Sequence, residues 1–378
     1  MNKKFFLASF FLLFIFSGCL SMRGSGSVPI TQETHFVDTE DDWTLELKRF
    51  FIPGGIEYSN PIILCHGLGY NGRFWDIEED KSFAAYLADK GFDVWVVSLR
   101  GAGKSTKAGW LAFRDIIGFR TDDFSNLSFS ADKLDWNIDD HINEDVPSVI
   151  KKVKEITGKK KVDWVGQSMG SLIALAYLGS AELPEEIGNI VAISPACVMF
   201  KPQNESLEFI KENRYFVDAT LIINQKTLYK FLVPFRGLIK DPFANLFINS
   251  ENMDSSTFVH IYNEVVESVS PGVVNQFIQQ MDDEYFYSSD KKINYTENLV
   301  NVTNPILFVA GRDDNLVSPE SVRYGYRAVG SKDKTYIELS KINGAEVDYG
   351  HDDIIIGKNV SKEVYPKIYY WLKSRNSK

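Results

Sequence analysis

Short, almost uninterrupted apolar runs recur at residues 61–65, 93–98, 162–165, 190–194 and 305–310, and stretches with apolar residues at helical spacing lie between them. Runs of this length suit strands, and strands apolar on both faces that alternate with helices predict a parallel sheet covered on each side. Helices are predicted over 82–90 and 146–156, each with one apolar face, and over 172–178. Near the start, residues 34–37 and 44–51 flank an acidic turn at 40–42 and read as an antiparallel pair. The predicted fold class is α/β, a mostly parallel sheet with helices on both faces.

From residue 199 to 300 the alternation stops, and the segment reads as several helices rich in Phe, Tyr and Leu. It divides the chain into a first core part (31–198), a helical cap insertion (199–300) and a second core part (301–378), the last closing with an amphipathic helix over 360–373. The aromatic residues of the cap either line an apolar pocket or fill the cap's own core; both readings stand at this point.

The N-terminus is organised differently. Lys3 and Lys4 precede an apolar run over 5–16 that is short for a bilayer span, the layout of an export signal. The run ends in Phe16-Ser17-Gly18-Cys19, which resembles a bacterial lipobox with Phe16 in place of the usual Leu. Residues 1–19 are therefore expected to be a signal peptide with a lipidation site at Cys19, and the Gly- and Ser-containing stretch 20–30 a flexible tether. The expected location is the periplasmic or cell-surface side of a bacterial membrane, with secretion as the alternative. An exported location allows a disulfide between Cys65 and Cys197, but the α/β arrangement expected for the chain puts them on strands that are not neighbours, and two buried thiols are expected.

Composition narrows the function. With 44% hydrophobic and 24% charged residues over 378 positions, the chain is that of a packed globular protein. A net charge of −10 argues against a nucleic-acid partner, because following a phosphate backbone needs an excess of Lys and Arg. No cofactor, metal or protein partner is implied; around Arg312-Asp313-Asp314 no His or carboxylate falls at calcium- or zinc-loop spacing.

Gly166-Gln167-Ser168-Met169-Gly170 fits G-x-S-x-G. A match of that kind arises by chance in roughly one of several chains this long, so its context decides. A strand over 162–165 runs straight into it and a helix leaves it. A nucleophile on a sharp strand-to-helix turn needs small flanking residues, here Gly166 and Gly170. A serine hydroxyl needs a His base, and that base needs a carboxylate to fix its tautomer. In the chain order nucleophile, acid, base, only His260 and His351 follow Ser168. His260 falls within the insertion, whereas His351 precedes the closing helix and is the expected base.

For the acid, Asp313 and Asp314 compete at the end of the strand over 305–310, and the G-x-x-D spacing from Gly311 favours Asp314. Asp352 and Asp353, directly after His351, read as helix-capping or solvated residues. The oxyanion hole is expected from two backbone N–H groups: Met169, next to the nucleophile, and Leu68, in the loop His66-Gly67-Leu68-Gly69 after an early strand. His66 reads as a brace for that loop. One decoy is set aside: Ser98 to Ser105 approaches a phosphate-binding loop, but Ser98 occupies the position of its first Gly.

Together these residues resemble the α/β-hydrolase superfamily over residues 34–372. Within it, His66-Gly67-Leu68-Gly69-Tyr70-Asn71, Asp93-Val94-Trp95, Arg100-Gly101, Asp145-Val146-Pro147 and Gly350-His351-Asp352-Asp353 look like the acid lipase branch and its bacterial relatives. The chain departs at the elbow, where that branch usually has His-Ser-Gln and Gln167-Ser168-Met169 stands here. The resemblance implies an eight-stranded sheet, with Cys65 and Cys197 following strands two positions apart, and hydrolysis of lipid esters. The expected function is a membrane-anchored serine ester hydrolase, lipase- or carboxylesterase-like, acting on apolar esters through an acyl-enzyme. An acyltransferase using the same acyl-enzyme and a non-catalytic surface lipoprotein are the alternatives.

Overall fold

The computed structural model describes residues 29–107, 136–180, 185–200 and 244–376. The expected signal peptide, Cys19 and most of the tether lie outside the described residues, as does the cap segment 201–243.

Eight strands form one sheet: β1 (Thr31–Asp38), β2 (Thr44–Phe51), β3 (Ile62–Cys65), β4 (Val94–Ser98), β5 (Val162–Gln167), β6 (Ile187–Ile193), β7 (Ile306–Gly311) and β8 (Lys334–Leu339). Their spatial order is β1-β2-β4-β3-β5-β6-β7-β8. β1 and β2 pair antiparallel, β2 is antiparallel to β4, and the remaining neighbours run parallel. Every residue of β3, β4, β5 and β7 is buried, which is why these strands read as continuous apolar runs. β8 is an edge strand, half-buried along most of its length and carrying Lys334, Thr335 and Glu338; its polar face left no apolar run to read.

Helices cover the sheet. Among them are α1 (Phe83–Asp89), α2 (Val146–Thr157), α3 (Met169–Ser180), α4 (Ser255–His260), α5 (Pro271–Asp283), α6 (Pro319–Ala328), α7 (Asp353–Ile356) and α8 (Tyr365–Lys373). Their ends follow local chemistry. The Ser82 hydroxyl accepts from the Ala85 N–H, Ser270 and Ser318 cap helices that have Pro at the first position, and Gly158 ends α2 with φ of 67°. α3 is buried nearly all round, as its uniformly apolar sequence requires. The closing helix expected over 360–373 is broken: a one-turn helix, Val360–Glu363, precedes α8, which restarts with Pro366 in its first turn.

The sheet order fixes where chemistry can happen. β4 lies on one side of β3 and β5 on the other, so connections from the β3–β5 pair leave in opposite directions and open a crevice at their carboxyl ends. Cys65 and Cys197 are free, buried thiols; the first ends β3 and the second follows β6, with β5 between them.

Candidate active site

Ser168 sits between the last residue of β5 and the first of α3, with φ of 53°. A non-glycine residue held in the left-handed region is strained, and neighbouring contacts must hold it there. They do: the Ser168 N–H donates to the Ile193 carbonyl at 2.8 Å, and the Ser171 hydroxyl donates to the Gly166 carbonyl at 2.6 Å and accepts from the Ile193 N–H at 3.0 Å. The flanking glycines are required by space. A Cβ on Gly166 would lie 2.4 Å from Gly170 backbone, and one on Gly170 would lie 2.4 Å from the Cys65 carbonyl oxygen. This second contact presses the start of α3 against the loop after β3.

That loop carries Leu68. A Cβ on Gly67 would stand 2.3 Å from Gln167 Oε1 and 3.1 Å from Ser168 Cβ, so its backbone passes directly against the elbow. His66 braces it: Nε2 accepts the Leu99 N–H at 3.1 Å, which assigns the proton to Nδ1, donating to the Gly67 carbonyl at 2.8 Å. Burial pushes His66 down to about 4, so the imidazole is neutral at ordinary pH. Met169 and Leu68 thus belong to two backbone segments that converge beside Ser168, at the N-terminal end of α3, whose dipole favours negative charge.

Asp314 follows β7 and is buried, whereas Asp313 is exposed. Asp314 Oδ2 lies 2.8 Å from His351 Nδ1, and its Oδ1 accepts the Leu316 and Val317 N–H groups at 3.1 and 2.8 Å. Burial alone would depress the His351 pKa; the Asp314 carboxylate beside Nδ1, with Asp352 and Asp353 nearby, holds it above the usual imidazole value. The other His after Ser168, His260, lies at the end of α4 and pairs with Glu78 at 3.0 Å.

Asp352 and Asp353 are neither capping nor solvated, contrary to their sequence reading. Both are buried, and neither makes a side-chain cap to α7. Asp353 accepts the N–H groups of Gly350 and Asn249 and the side-chain amide of Asn252. It therefore fastens the cap segment to the loop that carries His351. Asp352 Oδ2 accepts the Tyr70 hydroxyl at 2.5 Å, and Gln167 Nε2 donates to its Oδ1 at 3.4 Å and to the His351 carbonyl at 3.2 Å.

The cap segment contributes contacts that no sequence pattern revealed. The Glu267 N–H donates to the Gly69 carbonyl at 2.8 Å, and Glu267 Oε1 accepts the Asn71 amide at 2.9 Å, so Glu267 clasps the Leu68 loop from outside. The Phe247 ring meets the His351 ring edge-on at 6.4 Å, and Val269 lies over Gly69. Among the described residues no group of His, Cys, Asp or Glu could hold a metal ion, and no helix is long and apolar enough to cross a membrane.

A family model described as alpha/beta hydrolase fold matches residues 60–355. A probable lipase of Schizosaccharomyces pombe is 26% identical over 330 residues, an alignment that takes in 77% of this chain and 66% of that protein's length. Triacylglycerol lipase 2 of Arabidopsis thaliana is 23% identical over 378 residues, covering 90% of this chain and 84% of its own. Among solved structures, a thermophilic esterase from Thermogutta terrifontis superposes with a TM-score of 0.56 at 15% identity, covering 91% of this chain and all of its own. That last likeness speaks for the fold.

Proposed function

This chain belongs to the α/β-hydrolase fold family, and from that premise we propose that it is a serine hydrolase of carboxylic esters with apolar acyl groups. Ser168 attacks the ester carbonyl, His351 takes its proton and returns it to the leaving alcohol, and Asp314 holds the imidazole in the tautomer that leaves Nε2 free to accept. The Leu68 and Met169 N–H groups receive the oxyanion. Water, activated by the same His351, then releases the acid. The observation that carries this reading is the buried Asp314–His351 pair at 2.8 Å, on loops at the same sheet edge as a serine held at positive φ. Phe247 and Val269 beside the site, with the lipases among the relatives, support an apolar acyl group.

A fluorophosphonate probe should label the unmodified protein and leave Ser168→Ala unlabelled; equal labelling of both would overturn the nucleophile. Release of free acid from a p-nitrophenyl ester separates hydrolysis from transfer, which would deliver the acyl group to an added alcohol instead. The reading includes an anchor at Cys19, supported by the order Lys3-Lys4, apolar run, Ser17-Gly18-Cys19. On detergent phase separation the full chain is expected in the detergent phase and Cys19→Ser in the aqueous phase; retention of the variant in detergent would count against lipidation.

A further inference from the structure

We propose that Asp352 is a positioning residue for this reaction: its buried carboxyl joins the oxyanion loop, through Tyr70, to the nucleophile elbow, through Gln167, directly beside the base. The inference rests on the serine hydrolase reading. Three segments that must keep register within a fraction of an ångström meet at this one side chain. Tyr70 lies two residues from Leu68, Gln167 immediately precedes Ser168, and Asp352 immediately follows His351. The Tyr70 hydroxyl donates at 2.5 Å to one carboxyl oxygen and the Gln167 amide at 3.4 Å to the other, while the same amide nitrogen holds the His351 carbonyl at 3.2 Å.

Attachment of the cap does not account for the carboxyl. The Asp352 main-chain N–H already holds the Phe247 carbonyl at 2.8 Å, and the side-chain work of fastening falls to Asp353 through Asn249, Asn252 and Gly350. A carboxyl here is also costly. Burial pushes Asp352 up to about 7, with Asp353 and Asp314 pushing the same way and His351 and Tyr70 pulling against them. The groups that face it are therefore His351, Asp314, Asp353, Tyr70 and the neutral Gln167. Ionised, Asp352 accepts from both Tyr70 and Gln167 and adds negative charge beside the imidazolium that forms during attack. Protonated, it loses an acceptor site and that charge, so the alignment of the loop and elbow becomes pH-dependent in the neutral range.

The test measures kcat and KM on p-nitrophenyl butyrate between about pH 5 and pH 9 for the unmodified protein, Asp352→Asn, Tyr70→Phe and the double variant. Asp352→Asn should lower kcat roughly 10- to 100-fold with KM within about twofold, and should remove an ionisation near neutral pH from the kcat profile. Tyr70→Phe, which takes away a single hydroxyl, should give a smaller loss, and the double variant should lose less than the product of the two single losses, because both substitutions weaken one shared contact. An unchanged profile in Asp352→Asn, or losses that multiply in the double variant, overturns the proposal. Should Asp352→Asn fail to fold, Tyr70→Phe decides alone: no fall in kcat and an unshifted profile overturn it. Fluorophosphonate labelling of the unmodified protein keeps the two readings apart. If Ser168 is not labelled the hydrolase reading fails; if it is labelled and Asp352→Asn reacts at the same rate, only the positioning role fails.

Discussion

The described residues include two buried histidine–aspartate pairs of nearly the same geometry. His351 Nδ1 lies 2.8 Å from Asp314 Oδ2, and His141 Nδ1 lies 2.7 Å from Asp145 Oδ2. What separates them is where the carboxylate's remaining charge goes. Asp145 is gripped by Arg100, whose Nε and Nη2 donate to Oδ1 at 2.9 and 2.7 Å, and Arg100 in turn reaches Asp41. Burial would raise the Asp145 pKa, but Arg100 and His141 hold it below the usual range. Among the described residues no such cation pairs with Asp314; its second oxygen takes two backbone N–H groups, and its charge faces His351. A carboxylate already neutralised by a guanidinium has little left to stabilise an imidazolium. The Arg100 cluster lies behind the Leu68 loop, where Asp145 acts electrostatically on Cys65 and His66. A buried His–Asp contact is thus not a catalytic signature by itself.

The largest expected effect breaks that comparison most directly. His351→Ala should lower kcat on a p-nitrophenyl ester by about 10⁶-fold, since a serine hydroxyl without its base keeps only the help of the oxyanion hole and binding. His141→Ala should leave kcat within about tenfold and instead lower the urea midpoint, by removing one partner of a buried hydrogen-bonded pair, at a cost of about 1–3 kcal/mol. Activity and urea unfolding measured on both variants give the answer. Equal losses of kcat, with stability untouched in His141→Ala, would mean that the two pairs do not divide the work as their charge environments indicate.

The contrast also shows what the sequence could carry. The central strands were legible because burial on both faces leaves an apolar run, and the placing of Ser168 and Asp314 just after such strands was legible from their fixed offsets; the Asp314–His351 contact is what the fold adds. β8 was not, because an edge strand with one wet face mixes Lys334, Thr335 and Glu338 into its run. Asp352 and Asp353 were misread because two adjacent acids before a helix usually cap it or face water. Only the fold shows that Asn249, Asn252 and Tyr70, all distant in sequence, come to meet them. Glu267 was invisible for the same reason: its partners Gly69 and Asn71 are almost 200 residues away, and no local pattern encodes a contact of that span.

A smaller effect sharpens the comparison through the pH dependence of stability. Asp145 has a depressed pKa in the folded state, so its cluster contributes stability that is present above the unfolded carboxylate value of about 3.9 and is lost only as pH falls through the lower folded value. The cluster around His351 titrates in the opposite sense. Asp352 and Asp353 are raised by burial to about 7 and about 6, so the folded state holds protons that the unfolded chain has already released, and stability falls as pH rises from about 4 toward those values. His351, raised above the usual imidazole value mainly by Asp314, contributes stability that is complete below the unfolded value of about 6.5 and is lost as pH rises through the folded one. Between about pH 5 and pH 8 the contribution of Asp145 is therefore constant while the His351 cluster loosens. Asp352→Asn removes one of the titrating groups, so its loss of urea-unfolding free energy over that interval should be smaller than that of the unmodified protein by on the order of 1 to 2 kcal/mol. An identical pH dependence in the two proteins would show that Asp352 keeps one protonation state throughout, and the division into a fixed cluster and a titrating one would then fall to Asp353 and His351 alone.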